Sequence, residues 1–364
     1  MLDLAKIIER HQQDFLYRGK LDRDQFLAFR SVQICRTKAN GGDLYSCDDC
    51  AGFRYLYHSC GHRFCSKCQI HKTTQWLYKQ RQKKLPCDYF MITFTLPSEL
   101  RSLPRSQLKE FYTALYSSSS QSLKELCKSK LKGECGMLGV LHTNSRTQAF
   151  HPHIHYIVPG LVLNKKDSTV KKVTAKFFLH HKVLAKLFRG KFLAALTDFG
   201  IAFPRHLYGK NFIVDCAQKG DGDGAFKYLS KYLMRGVVSE KALSSDGEKV
   251  SLAYQDSKTK QMKNIHFDEL SFLERLSFHV LPKGFRRVRE YGFLAPAGKK
   301  MLARLQLLLQ AKLPDEDPPE KPVVRCPCCQ GKMSLVIANL PESWCRQHIP
   351  AFEQTRAPPT VRAG

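Results

Sequence analysis

Apolar and polar residues recur along this 364-residue chain with two periods, and the change from one to the other marks out the elements. Residues 1–34 space their apolar side chains three and four apart (Leu4, Ile7, Ile8; Phe15, Leu16; Phe26, Phe29), which predicts two or three amphipathic helices. Helical spacing returns at 76–84 and at 104–131, where four serines at 117–120 predict an interruption. It recurs at 175–196, 268–280 and 299–313. The 175–196 helix carries Lys176, Lys182, Lys186, Arg189 and Lys191 as a basic face. Between the helices lie β-rich runs. Residues 89–96 (YFMITFTL), stopped by Pro97, predict a central strand, 211–216 (NFIVDC) a short strand, and 250–267 a polar hairpin.

The most informative run is 137–158, MLGVLHTNSRTQAFHPHIHYIV, which reads as two apolar strands joined by a polar loop at 144–148. Side chains two apart on a strand share a face. His151, His153 and His155 therefore point one way, and Pro152, Ile154, Tyr156 and Val158 point into a core. If the strands pair as a hairpin, His142 falls roughly opposite His153, and three imidazoles (His142, His153, His155) converge. One such histidine is ordinary; three on one sheet face ask for a ligand such as a metal ion.

Further on, KGDGDGAFKYLSKYLMRG combines a glycine break at 220, 222 and 224 with a helix running to about Met234, capped by Asp223 or Gly224. Tyr228 and Tyr232 stand four apart on one face of it, accompanied by Lys227 and Lys231. Paired aromatics at this spacing are usually core, but flanking lysines lower the cost of a phenolate. The glycines do not fit the G-x4-G-K-[ST] phosphate loop, and nothing else in the chain does, so no ATPase or helicase engine is expected. At 281–293, LPKGFRRVREYGF interleaves Lys283, Arg286, Arg287 and Arg289 with Phe285, Tyr291 and Phe293. That pattern suits phosphate contacts with base stacking on a single strand.

Charge narrows the partner. Fifty-nine Lys and Arg against 32 Asp and Glu give a formal +27, spread along the chain, which points to an extended polyanion, nucleic acid first. No run of 18 apolar residues and no signal-like segment occurs, so a cytoplasmic protein, nucleoid-associated when on DNA and without a membrane partner, is expected. The 14 cysteines cluster in short spacings, which favours metal binding over disulfides. Cys47-x2-Cys50 and Cys65-x2-Cys68 have zinc-ribbon spacing and predict one structural Zn2+ site. Cys35, Cys60, His62 and His71 are the candidates for a second, and Cys326, Cys329, Cys345 and His348 for a C-terminal one, with Cys328 spare. Arg54, Arg63, Lys67 and Lys72 are expected to face phosphate. An acidic, proline-rich linker (LPDEDPPEKPVV) precedes the last cysteines.

Together these motifs resemble the rolling-circle insertion-sequence transposases of the two-tyrosine, histidine–hydrophobe–histidine (HUH) class. The resemblance runs over about residues 35–295. It rests on CRT at 35–37, YSCDDC and SCGHRFCSKCQ, ITFTLP at 92–97, LHT with HPHIHYIVPG, FRGKFL at 188–193, YLSKY, and HVLPKGFRRVREYGF. In HRFC, His62 and Phe64 stand where relatives often carry Asn and His. The resemblance implies an α+β protein: an N-terminal zinc-binding domain, then an HUH endonuclease domain with a central antiparallel sheet and flanking helices. Boundaries are expected at 1–84 (helices and zinc domain), 85–295 (nuclease), 296–325 (helix and linker) and 326–364 (small zinc module and disordered tail). It also implies a metal ion, Mg2+ or Mn2+, on His153 and His155, with His142 joining by analogy to relaxases. Tyr228 and Tyr232 are implied as nucleophiles, with Lys231 beside them. Lys227, Lys283, Arg286, Arg287 and Arg289, with Arg63 and Lys67, are then expected to hold DNA.

The implied activity is nicking and rejoining of single-stranded DNA at the ends of a mobile element, through a 5′-phosphotyrosine. Two other readings compete. A non-catalytic zinc-containing DNA-binding regulator explains charge and cysteines but leaves the histidine hairpin and YLSKY idle. A histidine-triad nucleotide hydrolase explains HPHIHYI but not the paired tyrosines, the cysteines or the charge.

Overall fold

The structure is a computed structural model; it describes residues 3–68, 70–101, 105–164, 169–173, 177–234, 238–256, 259–320, 322–349 and 353–354, without the side chains of 70, 71, 231–234 and 353–354. In chain order it contains α1 (Leu4–Arg10), a π-helical turn (Gln12–Tyr17), α2 (Arg23–Ile34), β1 (Gly42–Cys47), β2 (Phe53–Tyr57) and α3 (Ile70–Arg81). There follow β3 (Tyr89–Thr95), α4 (Leu108–Leu126), β4 (Met137–Asn144), β5 (Phe150–Pro159), β6 (Leu161–Asn164) and β7 (Thr169–Lys172). Next come α5 (His181–Asp198), β8 (Ile213–Gln218), α6 (Asp223–Met234), β9 (Leu243–Ser245), β10 (Lys249–Gln255), β11 (Met262–Asp268) and α7 (Glu269–Ser277). The rest is β12 (Val288–Tyr291), α8 (Lys299–Leu308), β13 (Met333–Ile337), α9 (Glu342–His348) and β14 (Glu353–Gln354). The α+β class implied by the sequence is what the chain adopts.

These elements form two compact units. One comprises Trp76–Leu233 and Leu281–Asp317, the other Met1–Gln75, Met234–Val280 and Pro318–Gly364. The division differs from the expected boundaries: the 249–268 hairpin and α7 group with the N-terminal helices, and 326–349 is part of that same unit, not a separate module. The reason is apolar burial. Val250, Leu252, Phe272, Leu273 and Leu276 share a core with Leu4, Ile7, Ile8, Phe15 and Phe29, and β13 pairs antiparallel with β1.

The first unit is built on an antiparallel sheet in the order β12-β4-β5-β3-β8. Period-two alternation sets its two faces. On β3 and β5 the even-numbered Phe90, Ile92, Phe94, Ile154, Tyr156 and Val158 are buried in the core shared with Phe111, Tyr112 and Tyr116 of α4 and Phe188 and Phe192 of α5. Each fully buried aromatic side chain contributes about 2–3 kcal/mol by desolvation. Gly139 on β4 permits the packing, because a Cβ there would stand 2.6 Å from the Tyr156 ring.

The expected break at 117–120 does not occur; α4 runs through the serines. Ser118, Ser119, Ser120 and Ser122 are buried. The Ser119, Ser120 and Ser122 hydroxyls are satisfied within the helix, as in Ser119 Oγ to the Leu115 carbonyl (2.6 Å) and Ser122 Oγ to the Ser118 carbonyl (2.7 Å). Ser119 also meets the buried Tyr156 hydroxyl at 2.8 Å. Small hydroxylated side chains let the helix approach the sheet while serving the phenols beneath it.

In the other unit, α2 opens with a reciprocal capping box, Asp22 accepting the Gln25 amide (2.8 Å) and Gln25 accepting that of Asp22 (2.9 Å). The unit's central polar contact is Glu269, fully buried at the start of α7. It accepts from Arg10, His11 (2.9 Å) and Ser245 (2.5 Å). Burial alone would raise its pKa, but hydrogen bonds from Arg10, Ser245 and His11, with the Arg10 charge, outweigh burial and hold it below the ordinary carboxylate value.

A depressed folded pKa stabilises the protein above the unfolded carboxylate range and ceases to do so as pH falls through the folded value. Glu269→Gln is therefore expected to cost on the order of 2 kcal/mol at pH 7. The deficit should shrink as pH drops below about 4.5, the unshifted value. Denaturant melts at pH 7 and pH 4 test this; a pH-independent deficit would contradict the charge assignment.

Candidate active site and cysteine centres

On the face of the sheet opposite α4 and α5, β4 and β5 pair with His142 directly across from His153. β3 and β5 pair with Thr93 across from His155 and Thr95 across from His153. The register expected from the sequence is the one that forms. Donor nitrogens of His142, His153 and His155 lie within 4.8 Å of one another, with ring centroids 5.1 Å apart for 142–153, 4.6 Å for 142–155 and 4.9 Å for 153–155. His151 continues the row, 5.1 Å from His153, but is not part of the convergent trio.

Second contacts orient the rings. His153 Nδ1 lies 2.7 Å from the His151 carbonyl, which can only accept, so Nδ1 carries the proton and Nε2 keeps its lone pair. His155 Nδ1 meets Thr93 Oγ1 at 2.8 Å. Burial, with the neighbouring His153 and Lys219, pushes His155 down to about 3. Burial, then His155, His153 and Arg287, holds His142 well below its ordinary value. Burial lowers His153 as well, against the His151 carbonyl that raises it. All three rings are thus neutral at pH 7, the state that ligates. Convergent ring nitrogens, a His153 proton placed on Nδ1 by the His151 carbonyl and suppressed protonation fit a divalent cation.

The glycine break delivers α6 to this face. β8 pairs with β3, and the pairing runs on through Lys219 N to the Tyr89 carbonyl and Tyr89 N to that of Gly220, each 2.7 Å. Gly222 then turns with φ +83°, and a Cβ there would strike the Tyr89 ring at 2.6 Å. Asp221 accepts the Asp223 amide at 3.1 Å, so Asp221 does the capping expected of Asp223 or Gly224. Lys84 pairs with both Asp221 (2.8 Å) and Asp223 (3.1 Å). Phe226 packs edge-on against Tyr89, ring centroids 5.7 Å apart. One helical position pair further, Tyr228 stands perpendicular to His155 with ring centroids 6.0 Å apart, and remains 37% exposed. Tyr232 and Lys231 lie on the described backbone of α6, but their side chains are outside the described residues.

Cations rim the histidines. Arg101 acts on His151, Lys219 on His155 and Arg287 on His142, each disfavouring imidazolium. Arg101, Lys219, Lys227, Lys283 and Arg286 are exposed. The 281–293 segment supplies cations but not the expected stacking platform. Phe285 and Phe293 are buried in core clusters, and Tyr291 is partly buried against one. The Arg289 guanidinium lies over the Tyr116 and Phe285 rings at 4.3 and 5.0 Å. Within the segment only Val288–Tyr291 forms a strand, β12 at the edge beside β4, and Phe285 and Phe293 flank it on turns that enter the core. Thr93, Arg101 and Lys219 were missed, although the alternation in YFMITFTL already places Thr93 and Thr95 on one face.

The cysteines gather differently from their sequence spacing. Cys35, Cys60, Cys65 and Cys68 form one group and Cys47, Cys50, Cys326 and Cys329 another, each with all sulfurs within 4.8 Å. Cys47 and Cys50 do not join Cys65 and Cys68, because the β1–β2 hairpin carries the first pair to β13 while the second packs under α2. His62 belongs to neither group; its Nδ1 accepts the Phe64 amide at 3.2 Å. The His71 side chain is outside the described residues. Cys345 is buried against Leu44 and Tyr55 instead of joining Cys326, His348 Nδ1 meets the Trp344 carbonyl at 2.8 Å, and Cys328 is exposed. Of the cations expected to face phosphate here, Lys67 pairs with Asp3 at 2.6 Å and Arg54 is buried, donating to the Arg325 carbonyl at 2.9 Å. Arg63 is half-buried, its pKa lowered by burial against the opposing charge of Asp24.

Two family models match the sequence. The one described as "Putative transposase" matches residues 136–301, and the one described as "Transposase zinc-binding domain" matches residues 7–96. A protein of Sinorhizobium fredii (strain NBRC 101917 / NGR234) named "Putative transposase y4qJ" is 28% identical over 394 aligned residues, covering 94% of this chain and 98% of that protein. The transposase for insertion sequence element IS801 of Pseudomonas savastanoi pv. phaseolicola is 25% identical over 295 residues, covering 72% of this chain and 68% of that protein. No described helix is long and apolar enough to cross a membrane.

The histidine trio is expected to bind Mn2+, with His153→Ala abolishing binding and Thr93→Val weakening it about tenfold by freeing the His155 ring. Titration calorimetry with Mn2+ decides. Unchanged affinity in His153→Ala would exclude the trio as ligands.

Proposed function

Because the chain belongs to the IS91-type transposases with their N-terminal zinc-binding domain, we propose that it cuts and rejoins single-stranded DNA at the ends of a mobile element through tyrosine. The observation that carries this reading is the approach of Tyr228 to His155 on the sheet face where His142 and His153 converge. A nucleophile beside a ligand set and a cationic rim is what transfer of a phosphodiester requires.

A divalent ion on His142, His153 and His155 would supply charge neutralisation at the non-bridging phosphate oxygens. Mg2+ and Mn2+ are the expected ions, and imidazole donors favour the softer of the two. The chain's own groups do the rest. Arg101, Lys219 and Arg287 draw the phosphate backbone to the site. The Tyr228 phenol gives up its proton as its oxygen bonds to phosphorus, and the bond from phosphorus to the 3′ oxygen breaks, that oxygen leaving as a hydroxyl. The 5′ phosphate stays on the protein as a tyrosyl ester.

The ester keeps the free energy of the broken bond, so a 3′ hydroxyl can reverse the step on another strand without ATP. That agrees with a chain carrying no phosphate-loop motif. Tyr232, one turn further along α6, is the second nucleophile in this reading, letting one end stay bound while another strand is attacked. Lys227 and Lys231 favour the phenolates, and Lys283, Arg286 and Arg287 extend the cationic path for DNA.

The test is incubation with labelled single-stranded DNA from the element's end, plus Mg2+ or Mn2+, resolved on denaturing gels. An SDS-resistant adduct is expected for the wild type. Tyr228→Phe and Tyr232→Phe should each block one step, and the double variant should lose cleavage by on the order of 10³-fold or more. His153→Ala should lose cleavage and keep DNA binding. Cleavage by the double variant would remove the tyrosines as nucleophiles, and tight binding without any adduct would favour the non-catalytic regulator.

A further inference from the structure

Cys50 and Cys326 stand 276 positions apart in sequence with their sulfurs 3.6 Å apart, and Cys47 meets Cys329 at 3.4 Å. In a tetrahedral tetrathiolate with zinc–sulfur bonds of about 2.3 Å, sulfurs sit about 3.8 Å from each other. The observed spacing is close to that.

The two halves of this group are also built alike. They are CDDCAG at 47–52 and CPCCQG at 326–331. In each, the first cysteine's amide donates to the glycine carbonyl five residues on, at 2.8 Å for Cys47 and 2.9 Å for Cys326. The amide of the fifth residue donates back to the first cysteine's carbonyl, 3.2 Å from Ala51 and 3.0 Å from Gln330. That fifth residue is left-handed in both, φ +55° at Ala51 and +61° at Gln330. The glycine amide then donates to the second cysteine, Gly52 to Cys50 and Gly331 to Cys329. Neither Ala nor Gln favours this backbone, so its appearance twice at the same offset needs a common cause. Amides turned onto sulfur are what stabilises thiolate ligands.

We propose that the two knuckles bind one structural zinc ion, separate from any ion on Cys35, Cys60, Cys65 and Cys68. Half of this site lies outside residues 7–96, the segment that the zinc-binding-domain model matches. The zinc makes the β1–β2 hairpin depend on a segment almost 300 residues downstream. Polypeptide contacts join the same partners: the Asp48 amide donates to the Lys332 carbonyl at 3.1 Å, and Ser334 Oγ to Asp48 at 3.1 Å. Cys47 faces Met333 across the β1–β13 pairing. Cys345 and Cys328 take no part.

Zinc counted by atomic emission on the purified full chain tests the proposal. The Cys326→Ser/Cys329→Ser variant should hold one zinc fewer than wild type, and Cys345→Ser the same number. A protease site placed in the exposed linker after Asp317 gives a reading free of cysteine substitution. Once cut, the C-terminal piece should stay bound, and any loss of it should carry zinc away from the remaining chain. Equal zinc in wild type and double variant would overturn the proposal. So would a cut piece that departs and leaves the full zinc count on the remaining chain.

Discussion

The antiparallel register of β4, β5 and β3 is the constraint on which the unit of residues 76–233 and 281–317 depends. A strand places successive side chains on opposite faces, so a slip of one residue would exchange the two sets. In the register that forms, Ile154, Tyr156 and Val158 enter the aromatic core with α4 and α5, and His153 and His155 are left on the other face with His142. The energy that fixes the histidines is therefore spent on the far side of the sheet. Desolvating several aromatic side chains outweighs the cost of gathering three buried imidazoles, which stay neutral and gain nothing by themselves.

Features governed by local periodicity were legible in the sequence. The facing of His142 and His153, the strand at 89–95, and a helix beginning beside the glycine break all follow from residues within one or two elements of each other. What could not be read there depends on distant partners. Three CxxC pairs with Cys35, Cys60 and Cys345 left over allow several groupings, and spacing favoured Cys47/Cys50 with Cys65/Cys68. The sheet instead carries Cys47 and Cys50 to Cys326 and Cys329. Phe285 and Phe293 looked like stacking residues because they sit among Arg and Lys, but both flank β12 on turns and are buried in two separate cores. The serines of α4 looked like a break because propensity takes no account of a phenol beneath the helix that needs a hydroxyl partner.

The two kinds of donor cluster divide the chemistry between them. Four thiolates fill a tetrahedral coordination shell and leave no position for a substrate, so a cysteine tetrad can only hold the chain together. Three imidazoles leave coordination positions open, and their lower charge leaves an ion more electrophilic toward phosphate oxygens. The surroundings agree with that division. Backbone amides donate to the Cys50, Cys326 and Cys329 sulfurs, while the histidines carry a rim of Arg and Lys that raises the local concentration of a polyanion.

The same reasoning bears on why Tyr228 stays exposed while Tyr89, Tyr116 and Tyr156 are buried. Burial pushes the Tyr89, Tyr116 and Tyr156 phenols well above their ordinary value, which suits them to packing and not to deprotonation. A phenol that gives up its proton needs solvent or cations nearby and cannot do so in that core. The break at 219–222 is what separates the two fates. It ends the β3–β8 pairing, uses Tyr89 as the floor on which Gly222 and Phe226 rest, and lifts α6 onto the histidine face. The first tyrosine of YLSKY is thereby held against His155 without being enclosed.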